Sequence, residues 1–304
     1  MKRFRLIAAF SHLSHAAKKQ EGEEREGGTG AQGLHKVAAA NRNVKLPRLP
    51  FANRGPRFRL EMNHPSSAAS PSDWPVLPHD PVQELSENLW RVEGALPHFS
   101  MRRVMSVVRL QNGELVIHSA IAMDEAGMQR LEAWGKPSIL LIPHGRHRMD
   151  APAYKRRYPA LRVFAPPAVL KKAREVVNVD GTFADAPLDP SLSLELLDGT
   201  GEAEAAMIVR SNDGVSIVLT EVVFDLEPAR SALGRAAIQL TGFGPGPCVT
   251  PVVKFELVKD KAQLRQHLTR LAAVPELVRL IVGHSRMSVG AAARAALRQA
   301  AASI

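Results

Sequence analysis

One short stretch carries most of the reactive chemistry in this chain. The apolar run Ile139-Leu140-Leu141-Ile142 and Pro143 lead straight into His144-Gly145-Arg146-His147-Arg148-Met149-Asp150. Two imidazoles and a carboxylate within seven residues can bind a metal or move protons. His144, His147 and Asp150 are spaced by three, so a helical turn there would place them on one face. The pattern returns in outline near the C-terminus, where Leu277–Val282 runs into Gly283-His284-Ser285. A three- or four-ligand site for one ion is within reach of these residue types.

The histidines need elements to carry them. A short apolar run bounded by Pro and Gly reads as a buried strand, and α/β folds keep their chemistry in loops at the carboxyl ends of strands. Further strands are expected at 89–92, 104–110, 115–118, 161–164, 193–197, 205–210, 215–220, 252–257 and 278–282. Asn112-Gly113 supplies a hairpin turn before Leu115–His118. Asp124 is placed to cap a helix whose Met128, Leu131 and Trp134 share a face. Helices are also expected at 151–157, from Pro166-Pro167 to Val177, from Asp260 to Ala272 and from Ser288 onward. Residues 241–248, Thr-Gly-Phe-Gly-Pro-Gly-Pro-Cys, read as loop. Hairpins mixed with strand–helix alternation in two comparable halves suggest stacked sheets flanked by helices.

Charge and composition narrow the function. The 304 residues carry a formal net charge of +10, yet residues 1–72 hold 13 Lys/Arg against 5 Asp/Glu, leaving 27 against 25 beyond them. The basicity belongs to the N-terminal stretch, and polyanion binding by the remainder is not indicated. Residues 1–72 lack sustained periodicity and read as a disordered basic tail, able at most to make weak contacts with RNA or anionic lipid. Residues 73–304 read as the folded domain. Cys248 is the only cysteine, which excludes an intrachain disulfide and a Cys-rich zinc cluster. The apolar run Leu6–Phe10 is too short for a signal sequence and no stretch suits a membrane span. A cytoplasmic protein without a membrane span is expected. Nucleophile-elbow, phosphate-loop and dinucleotide-binding patterns are absent from the sequence.

The order and spacing of several segments resemble the metallo-β-lactamase superfamily over about residues 84–304. They are Glu87–Trp90, Asn112–Ser119, Tyr158–Pro166, Ile217–Phe224 and Ile281–His284. The resemblance implies an αββα sandwich, an α/β (α+β) fold, and water-activated hydrolysis of an ester, thioester, lactam or phosphodiester. In that superfamily the loop after the central strand reads His-x-His-x-Asp-His and holds two zinc ions with later ligands. Here His144 matches the first ligand, but Arg146, Arg148 and Met149 stand at the next positions. Glu221 falls where the bridging Asp is expected, and His284 matches the last His. The histidine expected between residues 196 and 220 is missing.

The resemblance therefore implies an incomplete site. The expected assignment is one ion, zinc or else iron or manganese, on His144, His147 and His284. Glu221 and Asp150 would be its catalytic carboxylates, and Arg146 and Arg148 would hold a small anionic substrate. Blander readings stand beside it. His147 can be a surface residue, Asp150 a helix cap, Glu221 an ion-pair partner of an Arg, and His118 and His284 structural histidines. In that case no cofactor binds and the chain is a non-catalytic binding or scaffold protein on the same fold.

Overall fold

The computed structural model describes residues 74–225, 246–284 and 286–304. The expected tail at 1–72 and most of the glycine-rich loop lie outside the described residues. Two sheets form the centre. The first contains β1 (Gln83–Ser86), β2 (Leu89–Leu96), β3 (Phe99–Arg109), β4 (Glu114–His118), β5 (Lys136–Leu141), β6 (Arg162–Ala165) and β7 (Gly181–Thr182), in that order. It is antiparallel from β1 to β4 and parallel from β4 to β7. The second is ordered β12 (Met287–Val289), β11 (Leu277–Val282), β10 (Gly214–Leu219), β9 (Ala205–Ser211), β8 (Leu192–Leu196). Within it only β10 and β11 run parallel.

Alternation along the strands builds three layers of core. Val116, Ile139 and Leu141 face Met207, Val209, Val218 and Ile281 between the sheets. Their neighbours Leu115, Ile117, Leu140 and Ile142 face outward against α1 (Glu125–Trp134) and α2 (Ala151–Arg157) through Met128, Leu131 and Tyr154. On the far side Ile208, Ile217, Leu219 and Leu280 pack on α5 (Lys261–Ala272) and α6 (Ala291–Ala302) through Leu264, Leu268 and Leu297. The result is the expected helix–sheet–sheet–helix sandwich. Asp124 caps α1 through Gly127 N–H, Trp134 stacks on Trp90 with centroids 3.9 Å apart, and Gly113 takes φ +82° in the hairpin.

Three expected elements come out differently. The segment read as a strand at 252–257 is the helix α4 (Pro251–Glu256). The Thr250 side chain accepts from Val253 N–H and Pro251 opens the first turn, so capping outweighs the β-branched Val252-Val253 pair. The helix expected from Pro166 to Val177 is reduced to a 3₁₀ turn, Pro167–Val169, and the single turn α3 (Leu170–Ala173), neither with a side-chain cap. The last helix begins at Ala291, not Ser288. Met287–Val289 first pairs with β11, and Gly290 at φ +61° makes the turn into the helix.

Candidate metal centre

Four strands end on the same region, and each delivers a side chain just past its carboxyl end. Ser119 follows β4, His144 and His147 follow β5, Glu221 follows β10, and His284 follows β11. The Glu221 carboxylate is the hub. His147 Nε2 lies 2.8 Å from Glu221 Oε1, His284 Nε2 lies 3.3 Å from the same oxygen, and His144 Nδ1 stands 4.0 Å away. One donor atom each from His147, Glu221 and His284 falls within 4.8 Å of the others. The side chains of these three are about nineteen-twentieths buried, at 5 %, 4 % and 5 % exposure.

The far side of each ring is also held. His147 Nδ1 is 2.8 Å from Ser119 Oγ, and His284 Nδ1 is 2.9 Å from the Arg102 carbonyl. The Phe224 ring stacks on His284 at 5.1 Å. Such outer partners fix the orientation and tautomer of a ligating imidazole. Burial would raise the Glu221 carboxyl, but hydrogen bonds from His147 and His284 and charge from His147 and His144 overcome it and hold the group well below the usual range. Burial depresses His144 to about 4 despite the attraction of Glu221. His147 is lowered in the same direction by burial, with Glu221 opposing. His118, at the end of β4, is lowered to about 3 by burial and then by His147, and its Nε2 has no hydrogen-bond partner.

The hydrogen bonds test whether these residues suit a cation. A carbonyl only accepts, so His284 Nδ1 carries a proton. In a neutral ring Nε2 then presents a lone pair to Glu221 Oε1 across 3.3 Å. Two electron-rich atoms at that distance repel unless a second proton on His284 or a cation lies between them. Two imidazole nitrogens and a carboxylate oxygen are a donor set that zinc accepts, with a fourth position left open. The residues present fit one ion.

The other candidates fall on either side of this hub. Arg146, with a side chain 45 % exposed, donates to Glu221 Oε2 from 3.2 Å and pairs with Glu256 at the end of α4. Arg148 turns away and donates to Gly145 O and Lys172 O at 2.8 and 2.6 Å, pairing with Glu175. Asp150, expected as a catalytic carboxylate or else a helix cap, occupies the N-cap position of α2 but makes no side-chain cap bond. Its buried carboxylate accepts from Ala122 N–H and pairs with Arg103 Nη1, each at 2.8 Å. The reading of His147 as a surface residue fails, because its side chain is buried against Ser119 and Glu221. Sequence reasoning missed Ser119 and Glu204. Glu204, wholly buried, accepts from the N–H groups of Thr220, Glu221 and Val222. Its only sequence signal was an acidic residue opening the apolar strand β9.

The fold has counterparts among solved structures. A metallo-beta-lactamase from Pontibacter korlensis superposes with a TM-score of 0.50 at 12 % identity, covering 73 % of this chain and 99 % of that one. A metallo beta lactamase from Erythrobacter litoralis, with beta-mercaptoethanol in its active site, gives 0.50 at 16 % identity, covering 73 % and 96 %. This chain has the metallo-β-lactamase fold. No family model and no curated protein matches its sequence. On the metallo-β-lactamase fold the His147–Glu221–His284 cluster sits where four strand ends meet, a favoured place for ligands in open α/β sheets.

Proposed function

We propose that this chain is a metal-dependent hydrolase with a single ion, zinc or else iron or manganese, held by His147, Glu221 and His284, with His144 beside them. The observation that supports this reading most is the forced tautomer of His284, whose free Nε2 faces a carboxylate oxygen already shared with His147. A bound ion at such a site supplies a water acidified toward neutral pH. The chain's own residues do the rest. Ser119 and the Arg102 carbonyl hold the two imidazoles in line, and burial keeps competing water from Glu221. Arg146, half exposed at the rim, offers a guanidinium to a small anionic substrate bearing an ester, thioester, lactam or phosphodiester bond. Among the described residues no helix is long and apolar enough to cross a membrane, and the lone Cys248 suits a reducing compartment such as the cytoplasm.

Elemental mass spectrometry of the full chain, purified without chelator or His-tag, tests the reading. About one ion per chain is expected, lost in the His147→Ala/His284→Ala double variant, together with hydrolysis that stops on chelation. Absence of any ion after reconstitution with zinc, iron and manganese would overturn it. One observation favours a second reading. A second proton on His284, with Arg146 alongside, would neutralise Glu221 without any metal, leaving a binding or scaffold protein.

A further inference from the structure

Glu204 accepts hydrogen bonds from the stretch of backbone that carries Glu221. Glu204 precedes β9, and the Thr220-Glu221-Val222 segment follows the antiparallel neighbour β10. Thr220 N–H donates to Glu204 Oε1 at 2.7 Å, Val222 N–H to Oε2 at 3.0 Å, and Glu221 N–H is shared between both oxygens at 3.0 Å. Three successive peptide groups thus converge on one carboxylate. Glu204 has no measurable exposure, and Thr220, Glu221 and Val222 are each at most 3 % exposed. From the other side Gly283 presses on this segment so closely that a Cβ there would lie 2.6 Å from Thr220 O.

A buried carboxylate is a costly way to satisfy peptide N–H groups, which water or a carbonyl would serve without burying charge. A second buried carboxylate, Glu221, stands beside it, so the two repel. The arrangement makes sense if it aims Glu221: with its own N–H and both flanking N–H groups fixed, the side chain has one direction of departure, toward His147 and His284.

We propose that Glu204 is a positioning residue that sets the Glu221 carboxylate against His147 and His284. The inference extends the metal-site reading and deepens it. Gln at 204 keeps one acceptor but turns an amide N–H₂ toward backbone donors, and Asp keeps the charge but is one methylene too short to reach all three. In Glu204→Gln and Glu204→Asp the zinc dissociation constant, read by competition with a chromophoric chelator, should rise about 10- to 100-fold. In the metal-free proteins the ¹⁵N shifts of the His147 and His284 rings should move as their contacts with Glu221 loosen, out of proportion to any change in urea midpoint. If wild-type protein binds no zinc, the metal reading fails, while the ring shifts still decide the role of Glu204. A folded variant with unchanged ring shifts would overturn the proposal. So would unchanged zinc affinity where zinc binds. Failure of both variants to fold would make Glu204 a stability residue and overturn it equally.

Discussion

Glu221 is surrounded by groups that want its negative charge, and burial lowers the His118, His144 and His147 imidazoles around it. This fixes how the metal-free protein responds to acid. His118 and His144 titrate near 6.5 when unfolded, but in the fold burial lowers them to about 3 and about 4. The unfolded chain therefore takes up these protons first. Stability present above pH 6.5 is lost as the pH falls toward those folded values, with a slope of about 1.4 kcal/mol per pH unit for each group. Urea midpoints measured from pH 8 to pH 3.5 should fall steadily below 6.5, and His118→Leu should flatten the curve; an unchanged slope would show that His118 is not buried neutral. Spacing in the sequence singled out His144, His147 and His284, and Glu221 came only from the family resemblance. It could not show that Asp150 would leave the cluster for Arg103, because that pairing joins positions 47 residues apart through a buried contact.

The elements that carry these residues were readable where one local rule dominated. Short apolar runs between turn residues gave β4, β5, β9, β10 and β11, and Asp124 marked the start of α1 as a cap. Where rules competed the outcome lay in contacts beyond the local window, as for Thr250-Pro251 against the valine pair in α4, or Met287–Val289 recruited by the edge of β11. Two joints hold the ligand-bearing loops together. The first is the close approach of Gly283 to Thr220. Gly283→Ala must displace backbone rather than a flexible side chain, so about 1–3 kcal/mol of stability should be lost together with zinc affinity, both measurable on one preparation. The second is the buried Arg103–Asp150 pair, which ties β3 to the end of the histidine loop. Asp150→Ala leaves an uncompensated buried guanidinium and should cost about 3–5 kcal/mol. Arg103→Met/Asp150→Leu should recover part of that loss in chemical denaturation. Equal losses in single and double variants would show that the pair is not coupled.

Charge is divided along the chain as sharply as chemistry is. Beyond residue 72 acidic and basic residues nearly cancel, and much of the exposed charge there is engaged in pairs such as Arg130–Glu84, Arg157–Glu125 and Arg270–Glu195. Pairs of this kind add little stability, but they leave the sandwich with no strong field of one sign. A polyanion would therefore be attracted to the N-terminal stretch and not to the histidine cluster. Among the described residues the three hydrophobic layers draw their buried members from position 89 onward, and the sandwich should fold without the N-terminal stretch. A fragment of residues 73–304 should melt at the same temperature as the full chain and carry the same metal content. The full chain should bind heparin or single-stranded RNA at low salt and release it steeply as salt rises, while the fragment should bind neither. Equal, salt-sensitive binding by the fragment would place the polyanion surface on the sandwich, where Arg146 and the rim of the histidine cluster would be the first residues to test.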